Sequence, residues 1–298
     1  MILSIEFKNH YSNFLSKIIQ ELVHGGYLTA LGAPSLVLTT MIITNSEVNI
    51  PLLFISYLLP LIVYSFDYMR DLEKDLETNS ERSKHLQKKK KFYPFLLTFY
   101  ISILILLLLM FSGMNLIIFI GLITMGGLLY ATALKSLTKK IPVFKNVYTV
   151  LTWSLGGTMF VSLFFSIPFS VPFIVVFIFI NLKGMINAIF FDLKDYISDS
   201  KEGLKTLPVM LGRKNAINCL HILNALAVIP LVLGVYYGII PIISLSLIIF
   251  FFYSFYYLRT AQNADNDKVW VKLGSIADFE FMFWPLILLS CMLVSNII

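Results

Sequence analysis

The sequence predicts an all-α membrane protein of nine transmembrane helices, and three observations predict it. The first is composition: of 298 residues 58% are hydrophobic and 13% charged, with a mean hydropathy of +0.82, whereas soluble domains carry about 45–50% apolar and about 25% charged residues. The second is length, because apolar stretches close to the span of a bilayer recur from Tyr27 to the C-terminus. The third is charge: alternate loops carry almost all the Lys and Arg, while those between them are short and nearly uncharged, the positive-inside pattern of a multi-pass chain. Residues 1–298 are expected to form one transmembrane domain, with no room for a separate soluble one.

Taken in order, residues 1–25 place Phe7, Tyr11, Phe14, Leu15, Ile18, Ile19 and Leu22 near helical spacing, an amphipathic surface helix. The segment lacks the continuous apolar core and small-residue cleavage site of a signal peptide. Spans follow at 27–44, 48–66, 93–112, 115–134, 146–166, 168–191, 215–237, 239–258 and 277–297. The basic loops put the N-terminus and segments 67–92, 135–145, 192–214 and 259–276 on the cytoplasmic side of a cell membrane, and the C-terminus outside. The net charge of +6 thus belongs to loops facing anionic lipid headgroups and does not indicate a nucleic-acid partner. Lys88 to Lys91 read as topology signal. Cys219 and Cys291 both fall in spans, which indicates neither a disulfide framework nor a Cys-based metal site.

Two loops carry the chemistry. In YSFDYMRDLEKDLETNSERSKHL, Asp67, Asp71 and Asp75 sit at i, i+4 and i+8; in FFDLKDYISDSKEGLKTLPVMLGRK, Asp192, Asp195 and Asp199 sit at i, i+3 and i+7. Each spacing lines carboxylates along one helical face, where they repel unless a cation lies against them. All-oxygen faces without nearby His or Cys suit a hard cation such as Mg²⁺, which keeps open positions for substrate phosphates. Arg70, Arg82 and Lys84 beside the first segment, and Lys194, Lys201, Lys205 and Arg213 beside the second, are placed to neutralise a diphosphate. Asp71 and Asp75 recur at Asp195 and Asp199 with an offset of 124 residues in both cases, a hint of two related halves around one site. Tyr130, Lys135, Lys145 and Asn146 reach the same membrane face as the aspartates. A solvated loop of mixed charge is the alternative for each segment taken alone.

These motifs resemble those of the intramembrane aromatic prenyltransferase (UbiA) superfamily across essentially the whole chain. Its first signature, N-D-x-x-D-x-x-x-D, aligns with Asp67 to Asp75: Asp71 and Asp75 match, while Asp67 and Tyr68 replace the usual Asn and Asp. Asn79 to Ser83 resembles its N-x-x-R-T stretch. Asp192, Asp195, Asp199, Gly203, Thr206, Leu207 and Pro208 match its second signature, D-x-x-D-x-x-x-D with G-x-x-T-L-P; Tyr130 with Lys135, and Lys145 with Asn146, match its Y-x-x-x-x-K and K-N elements.

The resemblance implies nine helices around a central cavity with cytoplasmic cap segments, and Mg²⁺-dependent transfer of an isoprenoid from its diphosphate to an aromatic or lipid acceptor, in quinone or other lipid-cofactor biosynthesis. It further implies that Asp71, Asp75, Asp195 and Asp199 bind metal with Asp67 and Asp192 in support, and that Arg82, Tyr130, Lys135, Lys145 and Lys205 bind diphosphate. The aromatic content, 26 Phe and 15 Tyr, supplies surface for a carbocation and a prenyl tail. Lys183 and Asn187 precede Asp192; a lysine that deep in a span is read as contacting substrate or a buried carboxylate, or as a structural pair. Asp278 and Glu280 are read first as interfacial charges, with acceptor deprotonation as the alternative. A cyclase or hydrolase acting on the same diphosphates, and a transporter, are the competing functions; acidic residues at the membrane edge rather than the midplane count against the transporter.

Overall fold

The structure, a computed structural model, describes residues 20–70, 72–73, 80–264 and 267–295. Among them all regular structure is helical, because helices satisfy their own backbone hydrogen bonds inside a bilayer. The apolar helices are α1 (Tyr27–Ile43), α2 (Ile50–Arg70), α4 (Tyr93–Phe111), α5 (Met114–Thr132), α6 (Phe144–Phe164), α7 (Val171–Lys194), α10 (Arg213–Tyr236), α11 (Ile249–Ala261) and α12 (Asp267–Ser295), and short helices α3 (Ser80–Gln87), α8 (Tyr196–Glu202) and α9 (Leu207–Leu211) lie in the loops. Seven segments among the described residues are long and apolar enough to cross a membrane; Tyr27–Ile43 and Met114–Tyr130 are shorter apolar helices. Each predicted span therefore falls on an apolar helix, and the chain is a multi-pass membrane protein. The N-terminal amphipathic segment lies outside the described residues up to 19.

Two boundaries differ from the sequence reading. The eighth span opens as a 3-10 helix, Ile242–Ile248, that runs into α11. The last helix starts at Asp267, ten residues before the predicted span at 277. Its first turns carry Lys268 and Lys272, which depress average hydropathy, yet bury Trp270, Leu273 and Ala277 against α7 and α11. An apolar-run criterion misses such an amphipathic start.

Neighbours in sequence pack as neighbours in space, α1 on α2, α5 on α6, α6 on α7, α7 on α10, α10 on α11 and α11 on α12, and α12 returns to pack on α1. One apolar cluster unites α1, α2, α4, α5 and α6; a second unites α7, α10, α11 and α12; a third, around Phe179, Phe250 and Trp284, joins α1 to the second group. Ile118, Leu122, Met125 and Leu129 form an exposed apolar face of α5, suited to lipid chains rather than water. The α6–α7 seam is close: a Cβ added at Gly184 would lie 3.0 Å from Val150, and small residues at such contacts let helix backbones approach. That approach brings the start of α6 beside the end of α7, where the site lies.

Candidate functional site

The second acidic segment is anchored from both sides. Asp192 closes α7, Asp195 caps the junction to α8 and Asp199 lies within α8. Gly203 ends α8 with φ +70°, a left-handed conformation that a side chain would resist. The chain then turns back so that the Lys205 N–H donates to the Thr138 carbonyl and the Val143 N–H donates to the Lys205 carbonyl, at 3.0 and 2.8 Å. Thr206 and Pro208 start α9, with Pro where its missing N–H costs nothing. These backbone bonds hold the 135–145 loop against the second acidic segment and deliver Lys145 and Asn146, at the start of α6, to its carboxylates.

There, Lys145 Nζ lies 2.8 Å from Asp192 Oδ1 and 3.2 Å from Asp199 Oδ2, and Asn146 Nδ2 donates to Asp192 Oδ2 at 2.8 Å. Asp192 and Asp199 are buried, so a cation between them is what makes their charges tolerable. Asn146 Oδ1 is buried with no protein partner among the described residues. Burial pushes the Asp195 carboxyl above the ordinary aspartate value, with Lys194 and Lys145 pulling the other way. Asp192, Asp195 and Asp199 do not by themselves converge into a three-carboxylate metal site.

These groups open onto a cavity of about 460 Å³ lined by Asp192, Asp195, Lys145, Asn146, Arg82, Tyr130, Tyr64, Tyr68, Trp153, Asn187 and Asp278 among others. Arg82, on α3, holds its guanidinium 4.1 Å from the Tyr68 ring centroid, and Tyr64 stacks on Tyr68 at 5.9 Å. Tyr64, Tyr130, Thr149 and Trp153 are shared with an adjoining cavity of about 160 Å³ between α1, α2, α5 and α6, whose walls include Leu59, Val63, Ile123, Gly157 and Phe160. The result is a polar chamber with an apolar annex and an aromatic partition.

Of the residues expected at the site, Asp192, Asp195, Arg82, Tyr130 and Lys145 meet at the larger cavity, with Asp199 reached through Lys145. Asp67 borders the annex and pairs with Arg70 at 3.1 Å. Lys205 lies at the surface, its Nζ on the Lys140 carbonyl at 3.3 Å, and is not among the groups lining the cavity. Asp71, Asp75 and the Lys135 side chain lie outside the described residues. Lys183 turns away from the chamber: its Nζ lies 2.6 Å from Glu280 Oε1 and from Ser254 Oγ, the structural pair rather than a substrate contact. Glu280, read as interfacial, is buried, because α12 begins turns earlier than its apolar run. Tyr64 and Trp153 were not singled out in the sequence; Tyr64, Asp67 and Tyr68 share one helical face at i, i+3 and i+4, the signal that finds the first of them.

The architecture is shared with known membrane proteins. A UbiA homolog from Aeropyrum pernix K1 superposes with a TM-score of 0.66 at 14% identity, over 90% of this chain and 98% of that one. A UbiA homolog from Archaeoglobus fulgidus, solved bound to GPP and Mg²⁺, gives 0.61 at 16% identity, over 91% and 98%. A digeranylgeranylglyceryl phosphate synthase gives 0.58 at 19% identity, over 92% and 98%. At these identities the likeness is one of fold, and no curated protein matches the sequence significantly. The sequence itself decides the kinship: the model of the UbiA prenyltransferase family matches residues 95–287, more than half of the chain and including the whole second acidic segment, so the protein belongs to that family.

Proposed function

We propose that the protein transfers an isoprenoid chain from a prenyl diphosphate to an aromatic or lipid acceptor, with Mg²⁺, at the cytoplasmic face of a cell membrane and in quinone or other lipid-cofactor biosynthesis. The observation that carries this reading is the juxtaposition of a chamber holding Asp192, Asp195, Lys145 and Arg82 with an apolar annex, one end suited to a metal-bound diphosphate and the other to a hydrocarbon tail. Support also comes from the A. fulgidus homolog, bound to GPP and Mg²⁺ in one structure and to DMAPP and Mg²⁺ in another.

The donors fit Mg²⁺: hard carboxylate oxygens and the spare amide oxygen of Asn146. Asp192, Asp195 and Asp199 would hold it, with Asp67, Asp71 and Asp75 from the first segment. When bound, the metal draws negative charge off the diphosphate leaving group. Arg82, Tyr130 and Lys145, which line the chamber, bind diphosphate oxygens, joined by Lys135; Lys205, turned to the Lys140 carbonyl at the surface, would have to swing inward to reach them. Lys145, in this state spanning Asp192 and Asp199, is free to turn to the diphosphate once another cation satisfies those carboxylates. Tyr64, Tyr68 and Trp153 present ring faces where allylic cation character develops, and the apolar annex keeps water from it.

The test is incubation of the purified protein with radiolabelled geranylgeranyl and farnesyl diphosphates and a panel of aromatic and lipid acceptors, with Mg²⁺ or EDTA. A labelled adduct that needs Mg²⁺ and is lost in Asp195→Ala supports the proposal. Wild-type and variant behaving alike, with no Mg²⁺-dependent binding or turnover, overturns it. Free alcohol or a cyclised product without adduct selects the hydrolase or cyclase alternative.

A further inference from the structure

One carboxylate on the chamber wall has no place in that scheme. Asp278, on α12, lines the cavity beside Asn187 of α7, whose Nδ2 donates to the carbonyl of the adjoining Ala277 at 3.2 Å. Among the described residues no Lys or Arg forms an ion pair with it. Lys183, one helical turn from Asn187 on the same face of α7, is committed to Glu280, at 2.6 Å, and to Ser254 and Asn224. The α7–α12 seam thus carries two pairs with opposite outcomes. The sealed one gives its carboxylate a cation, and the chamber-facing one leaves its carboxylate without one and open to the cavity. Asn187 precedes Asp192 by five residues, about 7.5 Å along the helix, so Asp278 sits deeper in the bundle than the carboxylates at the mouth. It stands where a substrate group beyond the diphosphate would come to rest.

Building on the function proposed above, we propose that Asp278 is the acceptor-side catalytic base and that the acceptor presents a hydroxyl group to it. As the acceptor's hydroxyl oxygen, or the ring carbon beside it, bonds to the allylic C1, the C1–O bond to diphosphate breaks and its electron pair leaves with the diphosphate; where carbon attacks, its hydrogen then passes to the oxygen as the ring regains aromaticity. The hydroxyl proton passes to an Asp278 carboxylate oxygen and from there to water. Asn187 holds the backbone beside Asp278 by donating to the Ala277 carbonyl, which fixes where on the chamber wall the carboxylate stands.

The experiment uses the full-length protein, geranylgeranyl diphosphate with Mg²⁺, and hydroxyl-bearing acceptors: hydroxybenzoate, dihydroxynaphthoate, homogentisate and a glyceryl lipid. Asp278→Asn is expected to bind geranylgeranyl diphosphate within about twofold of wild type while its transfer kcat falls at least about 100-fold, the scale of general-base loss. Asp278→Glu recovers part of that rate, and added formate restores transfer in Asp278→Ala, a readout that a merely structural carboxylate would not give. Transfer by Asp278→Asn within about threefold of wild type overturns the proposal. So does loss of diphosphate binding in Asp278→Asn without formate rescue in Asp278→Ala, which would make the carboxylate structural. If wild type binds or turns over the diphosphate with Mg²⁺ but prenylates none of the hydroxyl compounds, the acceptor assignment falls while the diphosphate reading stands. If wild type shows no Mg²⁺-dependent binding at all, the underlying function fails instead.

Discussion

The two acidic segments share a spacing but not a setting. The second is built into the fold: Asp192 and Asp199 are buried, Lys145 bridges them, Asn146 donates to one of them, and backbone bonds through Lys205 tie the segment to its neighbouring loop. The first begins with Asp67, which is part-exposed and held by its own helix neighbour Arg70, while Arg82 approaches through the ring of Tyr68. A carboxylate bridged inside the protein is fixed before any substrate arrives; one at a part-exposed helix end sits in a looser setting. The contrast suggests that the second segment is the preformed half of the site and that the first completes it.

The largest effect that would sharpen this contrast is on turnover. Asp192→Asn should lower Mg²⁺-dependent turnover of geranylgeranyl diphosphate by at least about 100-fold, as loss of one preorganised electrostatic group does, whereas Asp67→Asn, which restores the family's usual residue, should change it less than about fivefold. Equal losses would break the distinction. Next is stability: Lys145→Met leaves two buried carboxylates unbridged and should cost about 2 kcal/mol, below the usual range for a broken buried pair because Lys145 is partly exposed. Thermal melting in detergent measures it, and added Mg²⁺ should recover more stability in the variant than in wild type. A smaller effect is expected at Arg82→Lys, which keeps the charge but loses the planar stack on Tyr68 and should raise KM for the diphosphate about threefold.

The smallest effect concerns what steadies the first segment from outside. Glu21 accepts hydrogen bonds from His85 and Lys89, tying the end of the N-terminal segment to α3, the helix that carries Arg82. Burial raises the Glu21 pKa, but these bonds outweigh it and hold the carboxyl below the ordinary glutamate value. A depressed folded pKa stabilises the fold above the unfolded value, and that contribution is lost as pH falls through the folded one. Protection of the amides in residues 80–87, taken relative to their intrinsic exchange rates at each pH, should therefore fall on acidification below the glutamate range in wild type and change less in Glu21→Gln.

Much of this was legible in the sequence, for physical reasons. Apolar runs mark bilayer-spanning helices because no water is available to satisfy alternatives, and the spacing of Asp192, Asp195 and Asp199 sets their shared face. The start of α12 was hidden because Lys268 and Lys272 mask the buried stripe of Trp270, Leu273 and Ala277. The partner of Lys183 lies far along the chain, and no local pattern names Glu280. Lys205 was read by its charge, yet in this state it is its backbone that joins two loops. Tyr64 and Trp153 disappear among many aromatics until packing places them on the chamber wall.

The Lys183–Glu280 pair also bears on how the protein is made. Lys183 enters the membrane with α7, but its counter-charge lies on α12, about a hundred residues later in synthesis. Until then the amine must cross neutral or lean on polar groups such as Asn224 and Ser254 as those helices arrive. Arrival of the last helix balances the charge and closes the ring against α1 in one step. A chain that stops before α12 would keep an uncompensated lysine in the bilayer, a mark by which membrane quality control can tell an unfinished molecule from a finished one.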